Sequence, residues 1–183
     1  MLLLRALRLA AAGAALTAGA VATAGAQSPI KLGIAGGAAL PIGDSDDGFN
    51  PGYNGTVTLA LNAPLFPVGL RVDGMFNRMQ GEEGTALGDF SDLDVSSVNA
   101  NVTFNLIPLP VARVYAIGGA GYYRTELRDT DLDPATDFGY NAGVGIRLGT
   151  GGTQLFVEGR YHRINLGNDE TFDFVPVTIG FLF

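Results

Sequence analysis

The last twelve residues of the chain, Phe172-Asp173-Phe174-Val175-Pro176-Val177-Thr178-Ile179-Gly180-Phe181-Leu182-Phe183, have the pattern of one β-strand. Successive side chains of a strand point to opposite faces, so every second residue shares a face. One face carries only apolar residues, namely Val175, Val177, Ile179, Phe181 and Phe183. The other face carries Pro176, Thr178, Gly180 and Leu182, which are smaller or more polar. At the end of an open sheet such a strand would be an adhesive edge, whereas a closed membrane barrel leaves no edge exposed.

Seven earlier segments show similar alternation and are separated by turn-forming residues. We predict strands at residues 30–40, 53–61, 68–77, 95–106, 111–124, 138–148 and 154–162, followed by the strand at 172–183. In the fifth strand the small residues 116–121 leave the phase ambiguous, and we favour an outward orientation of Tyr115, Ile117 and Tyr123. Eight strands of roughly ten residues suit an antiparallel, up-and-down transmembrane β-barrel.

A soluble periplasmic barrel, with its apolar face inward and its polar face in water, would have the same period. Three features favour the membrane barrel. They are the terminal strand, the alternation of short and long connections, and the first 26 residues.

Residues 1–26 have the features of a cleavable signal peptide. Arg5 and Arg8 form a basic start, residues 9–21 are apolar, and Ala24-Gly25-Ala26 fits an A-x-A cleavage site. Cleavage would leave residues 27–183 as a β-barrel domain; the alternative is an uncleaved anchor helix. No later run reaches the roughly 20 apolar residues of a spanning helix. The chain has no cysteine, which excludes disulfides and thiolate metal sites.

The connections between the predicted strands alternate in length and in charge. Those at 62–67, 107–110 and 149–153 are short and uncharged, whereas those at 41–52, 79–94, 125–137 and 164–173 hold 16 of the 18 acidic residues. Outer-membrane barrels have short periplasmic turns and longer external loops, so we expect the acidic loops to face the medium. Without the leader, nine basic and 18 acidic residues give a net charge of −9, which argues against a nucleic-acid partner.

The face of the strands opposite the lipid carries the charged residues. We expect Arg71, Asp73, Arg147, Glu158, Arg160 and His162 to point into the barrel. The interior of an eight-stranded barrel is just wide enough for side chains, and buried charges must be paired. We therefore predict a network in which arginines bracket Asp73 and Glu158, with Asn99, Asn101 and Thr103 supplying further hydrogen bonds. A structural plug is one interpretation of this network, and a narrow ion or solute channel is the alternative.

A lipid-modifying enzyme is a third hypothesis, because His162 and Glu158 are four residues apart on one face. Serine hydrolysis needs a serine within reach of the base, and the sequence places none beside them. We therefore expect no catalysis, no cofactor and no metal site. Asp129-Thr130-Asp131-Leu132-Asp133 resembles the start of a calcium loop, but Pro134 stands where glycine is needed. Weak divalent-cation binding at the loops is the alternative to a simply solvated surface.

Two segments resemble a known family. Residues 157–162, Val-Glu-Gly-Arg-Tyr-His, resemble the E-x-R-Y segment of the OmpA/OmpX-like outer-membrane β-barrel domain family, and residues 175–181 resemble its ending. The resemblance implies a small barrel in the outer membrane of a Gram-negative cell envelope, in contact with lipid and lipopolysaccharide. It also implies that Val175, Val177, Ile179, Phe181 and Phe183 form a C-terminal signal read by the barrel-assembly machinery. We expect a monomer with a structural or surface-interaction role through its acidic loops.

Overall fold

The barrel is closed. The computed structural model describes residues 29–45, 48–62, 67–81, 91–109, 111–130, 132–149, 152–167 and 170–183. Eight antiparallel strands follow one another in chain order, and the eighth pairs with the first. This confirms the predicted all-β, eight-stranded antiparallel barrel. The predicted signal peptide, residues 1–26, lies outside the described residues and stays a prediction.

The strands are longer than the sequence pattern indicated. They are β1 (Ile30–Pro41), β2 (Phe49–Asn62), β3 (Val68–Gly81), β4 (Leu93–Pro108), β5 (Ala112–Leu127), β6 (Ala135–Leu148), β7 (Gln154–Gly167) and β8 (Glu170–Leu182). Most of the additional residues lie at the ends joined by the long connections, which we call the loop end; the opposite end is the turn end. The assignment of the following residues to loops was wrong: 49–52, 79–81, 93–94, 125–127, 135–137, 164–167 and 170–171. Strand pairing continues there because it satisfies the backbone hydrogen-bonding groups.

The side chains follow the period of the strands, with apolar residues outside and polar residues inside. Val57 and Val98 on the outer wall are each 62% exposed, whereas Asp73, Asn99 and His162 are 0% exposed. A soluble barrel would show the reverse arrangement, because buried charge is costly and exposed apolar surface gains nothing in water. The outer wall is therefore suited to lipid. Within the described residues, no helix has the length and apolarity that a membrane span requires.

The fifth strand has the opposite phase to the one we favoured. Tyr115 and Tyr123 are 0% exposed and Ile117 is 3% exposed, so all three point inward, while Tyr122 is 66% exposed on the outer wall. The physical reason lies on β6, where Gly145 pairs with Tyr115. A Cβ atom at Gly145 would overlap the Tyr115 ring, and one at Gly139 would lie 2.8 Å from the Tyr123 ring. The glycines of β6 thus provide the space that the two inward rings occupy.

The interior is layered along the barrel axis. A loop-end apolar layer contains Ala39, Met79, Leu93, Val95, Tyr123, Ile164, Phe172 and Phe174. A smaller turn-end apolar layer contains Ala60, Phe156 and Leu182. Most of the buried polar and charged side chains lie between these two layers.

Candidate functional site: the charged interior of the barrel

Asp73 is the acceptor at the centre of the polar interior. Arg71 and Asp73 are two residues apart on β3, so both face inward, and Arg71 Nε donates to Asp73 Oδ1 at 2.7 Å. Arg160 Nη1, from β7, donates to Asp73 Oδ2 at 2.9 Å. The Thr58 hydroxyl, 2.6 Å from Oδ1, and the Asn101 amide, 2.9 Å from Oδ2, also donate to this carboxylate. Each oxygen of Asp73 therefore accepts two hydrogen bonds.

Glu158 is held by the same two arginines. Arg71 Nη1 donates to Glu158 Oε2 at 2.8 Å, and Arg160 Nε lies 2.8 Å from Oε1. The hydroxyl of Tyr115 donates to Oε2 at 2.6 Å. Such charge-assisted bonds are roughly twice as strong as neutral ones, and the planar guanidinium matches two carboxylates at once.

Arg71, Asp73, Glu158 and Arg160 form what we call the ion cluster. Two positive charges face two negative charges, and the four side chains are at most 2% exposed. The cluster joins β3 to β7, which are four strands apart in a closed barrel of eight, so it extends across the lumen. Each charge depends on its partners, because an unpaired buried ion would be strongly destabilising.

The other two predicted interior residues lie beside the ion cluster. Arg147 is 4% exposed, and its guanidinium carbon is 5.1 Å from the centroid of the Tyr115 ring. His162 lies nearer the loop end, where its Nδ1 is 2.8 Å from the Tyr123 hydroxyl. The imidazole also stacks on Phe174, with 5.0 Å between ring centroids. In this way His162 connects the polar interior to the loop-end apolar layer.

Two donors to the carboxylates were not predicted. Thr58 was missed, and Tyr115 is the residue for which we favoured an outward orientation. Asn99 donates to the Ser97 hydroxyl at 2.9 Å rather than to either acid, and Thr103 is buried on the inner face. The available signal was Gly145, since a glycine opposite a tyrosine on a paired strand leaves room for the ring.

Neither a metal centre nor a catalytic arrangement is visible in the part of the chain that the structure describes. No group of three or more histidine, aspartate or glutamate side chains there could hold a metal ion. His162 contacts Tyr123 and Phe174, whereas Glu158 is engaged by Arg71, Arg160 and Tyr115. The arrangement holds paired charges across the lumen.

The residues of the predicted C-terminal signal lie on the outer wall of β8. Val177, Ile179, Phe181 and Phe183 are 43–55% exposed, and Val175 is half-buried. β8 pairs on both sides, with β7 and with β1, so the ring closes along this strand. The last residue stays engaged, because the Phe183 amide donates to the Leu32 carbonyl at 2.7 Å.

Comparisons with known proteins agree with this architecture. Residues 9–183 match the family model of the outer membrane protein beta-barrel domain. The chain belongs to this family. The protein is therefore an outer-membrane protein, as the resemblance in its last two strands predicted.

Solved barrels of the outer membrane have the same fold. Neisserial surface protein A is 13% identical, with a TM-score of 0.63 over 85% of this chain and 96% of that one. The Yersinia pestis outer membrane protein Ail, determined in a phospholipid bilayer nanodisc, is 16% identical, with a TM-score of 0.51 over 84% of this chain and 99% of that one. Among curated proteins, none matches the sequence. The structural likeness shows the fold.

Proposed function

We propose that this outer-membrane barrel is a plugged scaffold with a structural or surface-interaction role through acidic loops that face the medium. The ion cluster carries the proposal, because it spans the lumen with its charges fully paired. The two apolar layers add a barrier on either side of it. An ion entering the lumen would have to displace paired charges and cross apolar side chains, and both steps are costly.

The partners follow from this proposal. Long loops of outer-membrane barrels lie outside the cell, so the acidic connections would meet the medium and lipopolysaccharide. The outer face of β8 would be the contact for the assembly machinery, and the barrel would act as a monomer. A weak attraction of divalent cations to the loops is consistent with their acidic side chains. We propose no catalytic role, since His162 faces the interior and is fully buried.

Planar-bilayer recording of the purified monomer tests the plug. We expect no steady conductance steps from the wild-type barrel. As a positive control, a combined variant, Arg71→Ala with Glu158→Ala, Phe174→Ala and Phe156→Ala, removes one charge of each sign and opens both apolar layers. This variant should conduct. Steady, voltage-tolerant steps from the wild-type monomer would contradict the plug and favour the narrow channel.

A lipid analysis tests the absence of catalysis. Cells that express the wild-type protein or the His162→Ala variant should have the same lipid A profile. A lipid A species that appears with the wild-type protein and disappears with the variant would establish an enzyme.

A further inference from the structure

The outer wall carries a groove at two glycines, which have no side chain to fill the space. The wall groove has a volume of about 760 Å³ and crosses β1 to β6, with Ile34, Val57, Phe76, Val98, Tyr122 and Arg124 among its lining residues. Gly55 and Gly74 form part of its floor, and a Cβ atom added at either would meet nothing within 4 Å. The groove is therefore open space on a face that is otherwise covered by side chains.

The wall groove runs from the middle of the wall to the loop end. Gly55 pairs with Phe76, which pairs with Ser96, which pairs with Arg124. Gly55 lies near the middle of β2, whereas Arg124 lies close to the loop end of β5. An elongated apolar ligand in the groove would thus extend from the centre of the membrane to its surface, ending beside a cation.

Arg124 differs from Arg78 and Arg163, which are also outward arginines near the loop end. Arg78 binds both oxygens of Asp94 at 2.6 Å, and Arg163 binds both oxygens of Asp173 at 2.8 and 2.6 Å. Within the described residues, the ion pair of Arg124 is with Glu126 at 3.9 Å, and both side chains are more than half exposed. A pair of this kind contributes little to stability, so the Arg124 guanidinium can bind another anion.

We propose that the wall groove binds one acyl chain of lipid A, with Arg124 engaging a phosphate of its headgroup. The choice of lipid rests on the proposed orientation, because the groove opens at the loop end and the loops are assigned to the outside. An acyl chain matches the apolar lining, and a phosphate matches the guanidinium in charge and geometry. A lipid whose headgroup lies at the loop end would place an acyl chain in the apolar groove and a phosphate beside Arg124.

Native mass spectrometry of detergent-extracted barrels, loaded with defined lipid A, tests this site. We expect one retained lipid on the wild-type barrel. Filling the floor with Gly55→Leu or Gly74→Leu should reduce retention, and Arg124→Gln should reduce it about tenfold, as expected for loss of a charged hydrogen bond. The matched control is Gly159→Leu. Gly159 is an outward glycine on β7, outside the groove, where an added Cβ atom also meets nothing within 4 Å. This control should retain lipid as the wild type does.

Several outcomes would overturn the site. Equal retention by all variants, or no retained lipid on the wild type, would show that the groove holds no specific lipid. A dimer of the wild type that Gly55→Leu converts to a monomer would show that the groove is an interface between copies. Equal retention of phosphatidylglycerol would refute the assignment to lipid A. The bilayer recordings report on the plug separately, because none of these variants changes the interior.

Discussion

At the residue scale, the ion cluster depends on complete pairing. The carboxylate of Asp73 accepts hydrogen bonds from two arginines, a threonine and an asparagine. The other nitrogens of the same two arginines bind Glu158. Removing one acid would leave two guanidinium groups to share one carboxylate in a site that water does not reach. The cost of losing a partner in such a site exceeds the gain of forming the pair.

Replacing Glu158 with glutamine should therefore destabilise the barrel markedly. We expect a loss of about 3 kcal/mol in the free energy of unfolding, the size seen when one partner of a buried ion pair is removed. Urea titration of the barrel in lipid vesicles, followed by the mobility of unboiled samples on gels, measures this change.

Glu126→Gln is the matched control, because the Glu126 side chain is 53% exposed and its ion pair with Arg124 is long, at 3.9 Å. Its effect should stay below about 1 kcal/mol. A similar urea midpoint of unfolding for both glutamine variants would mean that the ion cluster contributes no more to stability than a surface ion pair.

Gly145→Ala tests the space beneath Tyr115. The new methyl group would overlap the ring, so either Tyr115 loses its bond to Glu158 or the two strands move apart. We expect a loss of about 1–3 kcal/mol in the same titration, as for overpacked interiors. Gly159→Ala, where the methyl group meets no atom within 4 Å, should leave the midpoint unchanged. Equal midpoints would show that the interior around Tyr115 is loosely packed.

At the element scale, the sequence determined most strands but left one phase open. In β4, valine and asparagine alternate, and this contrast alone fixes which face meets lipid. In β5, residues 116–121 have no such contrast. The correct phase depends on two glycines of β6, namely Gly145, which pairs with Tyr115, and Gly139, which lies next to the Tyr123 ring. The ends of several strands were placed too early, since inward residues at the loop end, such as Met79 and Ile164, are apolar and break the polar-inside pattern.

The terminal strand should matter for assembly in a way that other strands do not. Phe183 and Leu61 both lie at the turn end of the outer wall and are both 45% exposed. We expect Phe183→Asn to slow folding severalfold when the assembly machinery is present in proteoliposomes, because a recognition contact is lost. Leu61→Asn removes comparable apolar surface and should not slow assisted folding in this way. If both variants fold equally fast with the machinery, β8 carries no signal.

At the scale of the whole molecule, the interior consists of three layers, with the ion cluster between the loop-end and turn-end apolar layers. The sequence indicated the charged layer, because five charged residues and His162 share the inward phase on β3, β6 and β7. It did not indicate the apolar layers, because an apolar residue on a strand of uncertain length can be assigned to lipid, loop or lumen. Only the closed ring shows that Met79, Phe172 and Phe174 converge at one level.

If each of the three layers excludes ions, substitutions in one layer alone should not make the barrel conduct. Phe174→Ala alone should leave planar bilayers silent, and so should Arg71→Ala combined with Glu158→Ala, because the remaining layers still exclude ions. Conductance should appear only when both sets of substitutions are combined with Phe156→Ala, which opens the turn-end layer as well. Conductance from Phe174→Ala alone would mean that the loop-end layer is the whole barrier and that the ion cluster is permeable.

The loop-end apolar layer also separates the connections from everything beneath them. Met79, Phe172 and Phe174 pack together at the loop end, so under the proposed plug a change in a connection would not reach the ion cluster. Peptide sequences grafted between β3 and β4 should therefore be displayed on the cell surface without unsettling the barrel. The same separation would let the connections change in sequence while the interior stays constant.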